Sequence, residues 1–370
     1  MIDTSIFSAD FREHPYWRDA LPAQEYTSTA DAIPRSADVV VVGAGLTGVS
    51  AAWELANAGR DVVALDAGEP GAGASSRNAG MLGRYFKHSF GEQVKFISAS
   101  ESIELGSQRY HGGVHVLDNG SLQPALYVRA MRGRAERAGA RIVGHCPVAA
   151  IVRDRHGFEA VTPRGTLRAR DVLVATNGYT SELTPWLVKR LIPIDAYMIA
   201  TEPLSEDLLR GLLPAHRTYL DNRRNSNYMQ RSPDGKRLLF GGRTGHRPPT
   251  LRRLAVDLYR DMRFLFPQLE GVKITHAWTG RCAATADLFP HTGVHDGMHY
   301  ALGYCFSGNA MAPYLATKAA KRILGSPDAH TIFAKDDFPR VPWPARQARL
   351  MPLVMRYYEW MDRPTQRTAA

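Results

Sequence analysis

The chain has 370 residues, a net charge of +10, 44% hydrophobic and 22% charged residues, and three cysteines. That length suits two domains or one large composite one, and the composition is that of an ordinary globular protein, not a disordered chain. No apolar run approaches the length of a membrane span and the polar start from Met1 to Asp10 is not a signal peptide, so the expected compartment is the cytoplasm. Cys146, Cys282 and Cys305 are too few and too scattered for a disulfide framework or a closed zinc site, and no metal is expected. Basic residues are spread along the chain without an aromatic-interleaved patch, which argues against nucleic acid as a partner.

Residues 1–36 read as an irregular extension, with Tyr16, Trp17 and Pro22 as docking points. The run Val39 to Val42 then suits a strand buried on both faces of a parallel sheet, and it enters a glycine-rich turn. In that turn Gly43 permits the tight bend, Gly45 lets the backbone approach a pyrophosphate, and Gly48 lets the following helix pack on the strand. The helix from Leu46 to about Ala58 aims free N–H groups and a partial positive charge at the phosphate. A second strand, Val62 to Leu65, ends at Asp66, about 20 residues past the glycines, where a carboxylate accepts ribose hydroxyls. An acid there disfavours the extra phosphate of NADP. A second glycine-rich segment, Gly71 to Gly80, follows at once. The two signals together point to bound FAD and away from a dissociable nicotinamide.

Farther along, residues 124–139 read as a helix ended by Gly139, followed by a strand from Arg141. A meander comes next, over 148–153, 157–162 and 165–170. Residues 171–179 resemble a second dinucleotide-associated strand that turns at Gly178. Alternating strands over 191–201 and 227–242 signal a sheet of different character, with Asp234 and Gly235 as its hairpin turn. Residues 251–266 form an amphipathic helix and 310–324 another. The tail from Asp336 has several prolines and then a basic helix rich in Met, Tyr and Trp.

At Gly71–Gly80 the sequence is similar to the FAD-dependent amine oxidoreductases of the D-amino-acid oxidase and glycine oxidase superfamily, closest to its gamma-glutamylputrescine oxidoreductase-like branch. Blocks at 175–178, 200–203, 239–242, 266–269, 277–280, 285–290 and 303–308 resemble family blocks in the family's order. The resemblance implies an α/β fold, with a Rossmann-like FAD domain of the glutathione-reductase type and a smaller antiparallel-sheet substrate domain. It implies FAD-domain segments 37–90, 115–185 and 275–328, substrate-domain segments 91–114 and 186–274, an N-terminal extension 1–36 and a tail 329–370.

The cofactor residues it implies begin with Gly43, Gly45, Leu46, Thr47, Gly48, Asp66 and Ala67. They continue through Gly73, Ala74, Ser75, Ser76, Arg77, Asn78, Ala79, Gly80, Met81 and Leu82. Val148 would contact the adenine through its backbone, and Ala175, Thr176, Gly178, Tyr179, Gly280 and Asp287 complete the middle of the site. The loop from Gly303 through Ser307, Gly308, Asn309 and Ala310 would bring N–H donors to the flavin. Two departures stand out: the stretch between Gly80 and Gly120 is shorter than in the family, and Phe306 replaces a small residue in the flavin loop.

On the substrate side, the position where glycine oxidases place a carboxylate-clamping arginine holds Cys282, which cannot form a bidentate ion pair. Arg281 is adjacent and is a catalytic candidate together with Tyr228 and His88, although one residue along a strand reverses the face. In the sarcosine-oxidase branch the matching cysteine bonds the flavin covalently, making Cys282 a candidate for that role. Tyr228 matches an active-site tyrosine, and His88 and Lys87 are further pocket candidates. The implied reaction passes a hydride from the CH–NH group of a small amine to the flavin, giving an imine that hydrolyses to an aldehyde or keto acid. Oxygen or another acceptor would reoxidise the cofactor. A flavin-binding pseudoenzyme or subunit and an NAD-dependent dehydrogenase remain as alternative readings.

Overall fold

The computed structural model describes residues 4–22, 33–83, 94–98, 105–110, 112–117, 119–246, 248–335, 337–342 and 344–362. Strand β1 (Phe7–Arg12) and the one-turn helix α1 (Tyr16–Asp19) precede a βαβ unit made of β2 (Ser36–Val42), α2 (Leu46–Asn57) and β3 (Val62–Leu65). Short strands β4 (Met81–Leu82), β5 (Val94–Ser98), β6 (Gly112–Val116) and β7 (Gly120–Ser121) pair as β4 with β7 and β5 with β6. Helix α3 (Pro124–Arg137) leads to β8 (Arg141–Val143) and the meander β9 (Ala150–Asp154), β10 (Gly157–Thr162) and β11 (Gly165–Val174). Next come α4 (Pro185–Val188), β12 (Ile192–Thr201), α5 (Glu206–Leu212), β13 (Tyr219–Leu220), β14 (Tyr228–Arg231), β15 (Leu238–Gly242) and α6 (Leu251–Leu265). The order closes with β16 (Ile274–Ala284), β17 (His291–His295), β18 (Met298–Leu302), α7 (Gly308–Ile323) and α8 (Pro344–Met361). No helix among the described residues is long and apolar enough to cross a membrane.

The first large sheet has the order β17-β18-β11-β2-β3-β8, and β10 and β9 extend it from the first half of β11. Its central pairs are parallel. The valine run explains this centre, because alternate residues bury against different layers. Val39 and Val41 join α2, α3 and α7 in one cluster, while Val40 and Val42 pack with Leu65, Leu167 and Phe158 beneath the meander. With both faces covered, a polar residue on either would be stranded, so the strand is apolar throughout. Helix α2 approaches its strand closely only because position 48 lacks a side chain: a Cβ there would lie 1.8 Å from the Gly43 carbonyl oxygen.

The second sheet, β1-β16-β12-β15-β14-β13, is antiparallel except for the parallel pair of β1 with β16. One face carries α5 and α6 over Ile199, Phe240 and Ala277. The other buries Met198, Ala200, Leu239 and Trp278 against Tyr16, Trp17 and Ala125, and so faces the first sheet's loops.

Two readings of the sequence are corrected here. The first 36 residues are not irregular throughout, because β1 adds to the open edge of β16 with Phe7 opposite Ile274. Strand β16, expected with the FAD segment from 275, belongs to the second sheet and runs the length of β12. Its alternation explains why: Ala277 enters the α6 cluster while Trp278 packs under the N-terminal segment, so both faces are claimed within that sheet.

Replacing Gly48 with Ala forces the βαβ turn apart. The expected loss is about 1–3 kcal/mol of stability, read as a lower urea midpoint; a wild-type midpoint would remove the close-packing account.

Candidate cofactor and substrate site

The site begins at the first βαβ turn. Gly43 has a φ of +98° and its N–H donates to Leu65 O at 2.8 Å, turning the chain sharply off β2. The Ala44 N–H then donates to Asp66 Oδ2 at 2.7 Å, and Gly68 N–H donates to Oδ1 at 2.9 Å. Asp66 therefore braces the turn from the tip of β3, and each oxygen keeps a further lone pair for a sugar hydroxyl. Burial pushes its carboxyl above the usual range, with those two N–H bonds pulling the other way. At the mouth of α2, Leu46 N–H donates to Ser75 Oγ at 2.8 Å, so the two glycine-rich segments are joined directly. The Thr47 hydroxyl is engaged with the Tyr304 hydroxyl at 2.8 Å.

The second segment, from Gly71 to Leu82, has one short turn of helix at Ala74–Ser76 and is otherwise held from outside. Asn78 is its hub. The Asn78 side chain donates to Ala74 O and Ser75 O at 3.1 Å each, and its Oδ1 accepts from Gly80 N–H at 2.8 Å and Asn309 Nδ2 at 2.9 Å. Asn309 also donates to Met81 O at 2.8 Å, tying the first turn of α7 to the loop. Backbone carbonyls take bonds from distant indoles: Trp17 Nε1 donates to Asn78 O at 2.8 Å, and Trp278 Nε1 donates to Arg77 O at 2.9 Å. The Gln230 amide donates to Ala79 O. Arg77 reaches Ala72 O at 2.7 Å and Thr279 O at 3.2 Å, and its burial lowers the guanidinium pKa.

The third part comes from the ends of β11 and β18. Asn177 Oδ1 accepts from Gly303 N–H at 2.9 Å and joins those two strand ends. Beyond it, Gly303, Cys305 and Phe306 all have positive φ, of 79°, 47° and 75°, and the Phe306 side chain projects outward, 56% exposed. Two consecutive non-glycine residues in the left-handed region are strained, which is common where a loop serves a ligand. Asp287 braces the turn before β17 by accepting from His291 Nε2 at 3.1 Å. The Tyr179 ring lies on Gly73, where a Cβ would come within 3.1 Å, and a Cβ on Gly280 would lie 3.0 Å from the Arg77 Cβ. Val148 stands before β9, packed at the edge of the Val40 cluster.

These residues fit a dinucleotide. Ser76 Oγ is buried with no hydrogen-bond partner among the described residues, and Ala44, Gly71, Ala72 and Ser76 line one cleft with Arg18 and Arg129. A Cβ on Gly45 would sit 2.9 Å from Ser75 Oγ, so only glycine leaves the cradle open.

The substrate face is read from strand register. Ile194, Ala196 and Met198 of β12 stand opposite Cys282, Gly280 and Trp278 of β16, and Tyr228 of β14 stands opposite Gly241 of β15. Tyr228 donates its hydroxyl to Tyr197 O at 2.9 Å, and burial pushes the phenol pKa up. Cys282 Sγ donates to Ile194 O at 3.4 Å, and burial pushes that thiol well up. Arg281 points to the other face and forms a bidentate pair with Asp195, at 2.8 and 3.2 Å, so it is not a cation of this face. His276 is also on this face; burial lowers its imidazole pKa, with the neighbouring Asp19 carboxylate pulling the other way. No arginine or lysine stands on this face among the described residues of β12, β14, β15 and β16. His88 and Lys87 lie outside the described residues.

Several contributors were not singled out from sequence. Gln230 carried no signal at all, being one polar residue in an alternating strand. Asn177 lies inside the 175–178 block, and Trp17 reads from sequence only as a docking point. Replacing Asn78 with Ala removes four side-chain bonds, with an expected cost of about 2–4 kcal/mol measured by urea denaturation. A variant as stable as the parent would show that the loop is held by other means.

Comparison with known proteins gives the family. The model described as FAD dependent oxidoreductase matches residues 38–90 and 83–322, two segments that overlap at 83–90. Gamma-glutamylputrescine oxidoreductase of Escherichia coli (strain K12) is 28% identical over 404 residues, covering 88% of this chain and 93% of that protein. Glycine oxidase of Bacillus licheniformis is 24% identical over 357 residues, covering 78% and 94%. Among solved structures, glycine oxidase from Geobacillus kaustophilus superposes with a TM-score of 0.71 at 20% identity over 84% of this chain and 99% of that one. L-proline dehydrogenase from P. horikoshii gives 0.70 at 18% identity over 86% and 99%. With that match spanning most of its length, the chain belongs to the family of FAD-dependent oxidoreductases and takes FAD as its cofactor.

Proposed function

We propose that the protein oxidises a primary or secondary amine that carries no carboxylate on the reacting carbon. The observation behind this reading is the residue pair at 281 and 282: where an amino-acid oxidase needs a guanidinium for the α-carboxylate, β16 has Cys282, and the guanidinium of Arg281 is turned away and paired with Asp195. The relatives named for oxidation of gamma-glutamylputrescine and glycine support an amine as the class of substrate. The net charge of +10 favours an amine with a remote acidic group.

FAD, held by the three loop segments, supplies the two-electron acceptor for oxidation of a carbon–nitrogen bond. The chain's own residues have smaller tasks. Tyr228, half-buried at the edge of the core of Met198, Trp278, Tyr16 and Trp17, presents a ring that would exclude water and favour the neutral amine. The Tyr228 hydroxyl stays protonated and spends its proton on Tyr197 O, so it offers an incoming amine a lone pair and orients it without acting as a base. Cys282 is a space-filling thiol on this reading, and the cofactor is bound without a covalent link.

Anaerobic titration of the purified protein tests the substrate class. Amines, including those with a remote carboxylate, are expected to bleach the flavin at least roughly tenfold more effectively than small α-amino acids, the difference one lost ion pair makes. Equal bleaching by α-amino acids would overturn the specificity. A bound flavin that no amine bleaches would favour the pseudoenzyme reading. Acid precipitation is expected to leave the yellow colour in the supernatant; a coloured pellet would assign Cys282 a covalent role.

A further inference from the structure

Among its described side chains, helix α8 is attached to the body by one face. Met355 packs on Gly245, where a Cβ would meet its Cε at 3.1 Å, and the Arg224 guanidinium lies 5.9 Å from the Tyr358 ring centroid. At the helix end, Asp362 accepts from the N–H groups of Arg224 and Asn225 at 3.0 and 3.1 Å. Those contacts fix the rotation of the helix. They turn outward Leu353, Val354, Tyr357, Trp360 and Met361, of which Leu353 is 60% and Trp360 62% exposed. At 100° per residue these five fall within an arc of about 120°. Tyr357 and Trp360 stack on one another at 6.0 Å. Arg356 is exposed beside them, and α8 contains three arginines against the single acid Glu359.

An apolar arc with stacked Tyr and Trp and a basic flank is the composition of a helix that lies in the headgroup region of a bilayer. A second copy of the chain is a poorer occupant on two grounds. Five side chains fall well short of the roughly 20–30 residues a side that stable protein interfaces use. A two-fold contact through this face would also bring two basic helices together, in molecules that each carry a net charge of +10. We infer that the outward face of α8 docks the enzyme peripherally on an anionic lipid surface, with Leu353, Tyr357 and Trp360 entering the headgroup layer and Arg356 meeting lipid phosphate.

The test is co-sedimentation of the full-length, flavin-loaded protein with vesicles of phosphatidylcholine alone or with about a third phosphatidylglycerol. Binding is expected on the anionic vesicles only, and is expected to fall roughly tenfold at about 0.5 M salt. The double variant Leu353→Ser, Trp360→Ser should lose binding roughly tenfold while keeping its flavin content and melting temperature, because both side chains are exposed. Absence of binding to anionic vesicles, or equal binding by the double variant, would overturn the assignment. So would a dimer in solution that the double variant dissociates, since that would give the face to a second copy.

Discussion

The loop from Gly71 to Leu82 sets the terms for the rest of the molecule. Apart from one turn of helix at Ala74–Ser76 and the short pairing of Met81–Leu82, the segment has no regular structure to satisfy its backbone, and its carbonyls still need partners when buried. Those partners come from far away in sequence. The carbonyls of Ala72, Arg77, Asn78 and Ala79 accept from Arg77, Trp278, Trp17 and Gln230, and Asn78 and Asn309 close the loop from within and from α7. The second sheet and the N-terminal segment therefore serve the cofactor site even though neither belongs to the βαβ unit.

Strand parity does comparable work on the substrate side. Along β16 one residue in two looks toward the loop and the other toward α6, so Trp278, Gly280 and Cys282 share the loop side while Ala277 and Arg281 stand on the opposite one. The Arg281–Asp195 pair is partly exposed and cross-strand, which makes it a minor contributor to stability. Its larger effect is to keep a cation away from the apolar face, where an unpaired charge would draw in water and anions.

Much of the nucleotide half was legible in the sequence, because its demands are local. The valine run, the glycines at 43, 45 and 48, and Asp66 each answer a steric or hydrogen-bonding need within a short stretch of chain, and the helices ending near Ala58, Arg137, Leu265 and Ile323 fell close to their expected bounds. What escaped was non-local. Nothing around Phe7 announces a parallel partner at Ile274, and nothing around Gln230 announces a carbonyl at Ala79, since both depend on how two sheets meet. The residue type at 281 looked informative from sequence, but its use depended on a facing acid 86 positions away in the chain.

The bond from Trp17 to the Asn78 carbonyl joins the N-terminal segment to the cofactor loop, and Gln123 reinforces it by donating to Trp17 O at 2.5 Å. Linkage then acts in both directions: whatever orders the loop also holds the arm, and whatever frees the arm loosens the loop. A ligand that orders the loop would thus become visible at the beginning of the chain, as resistance of the segment around Trp17 to proteases, 61 residues before the Asn78 carbonyl to which its indole donates.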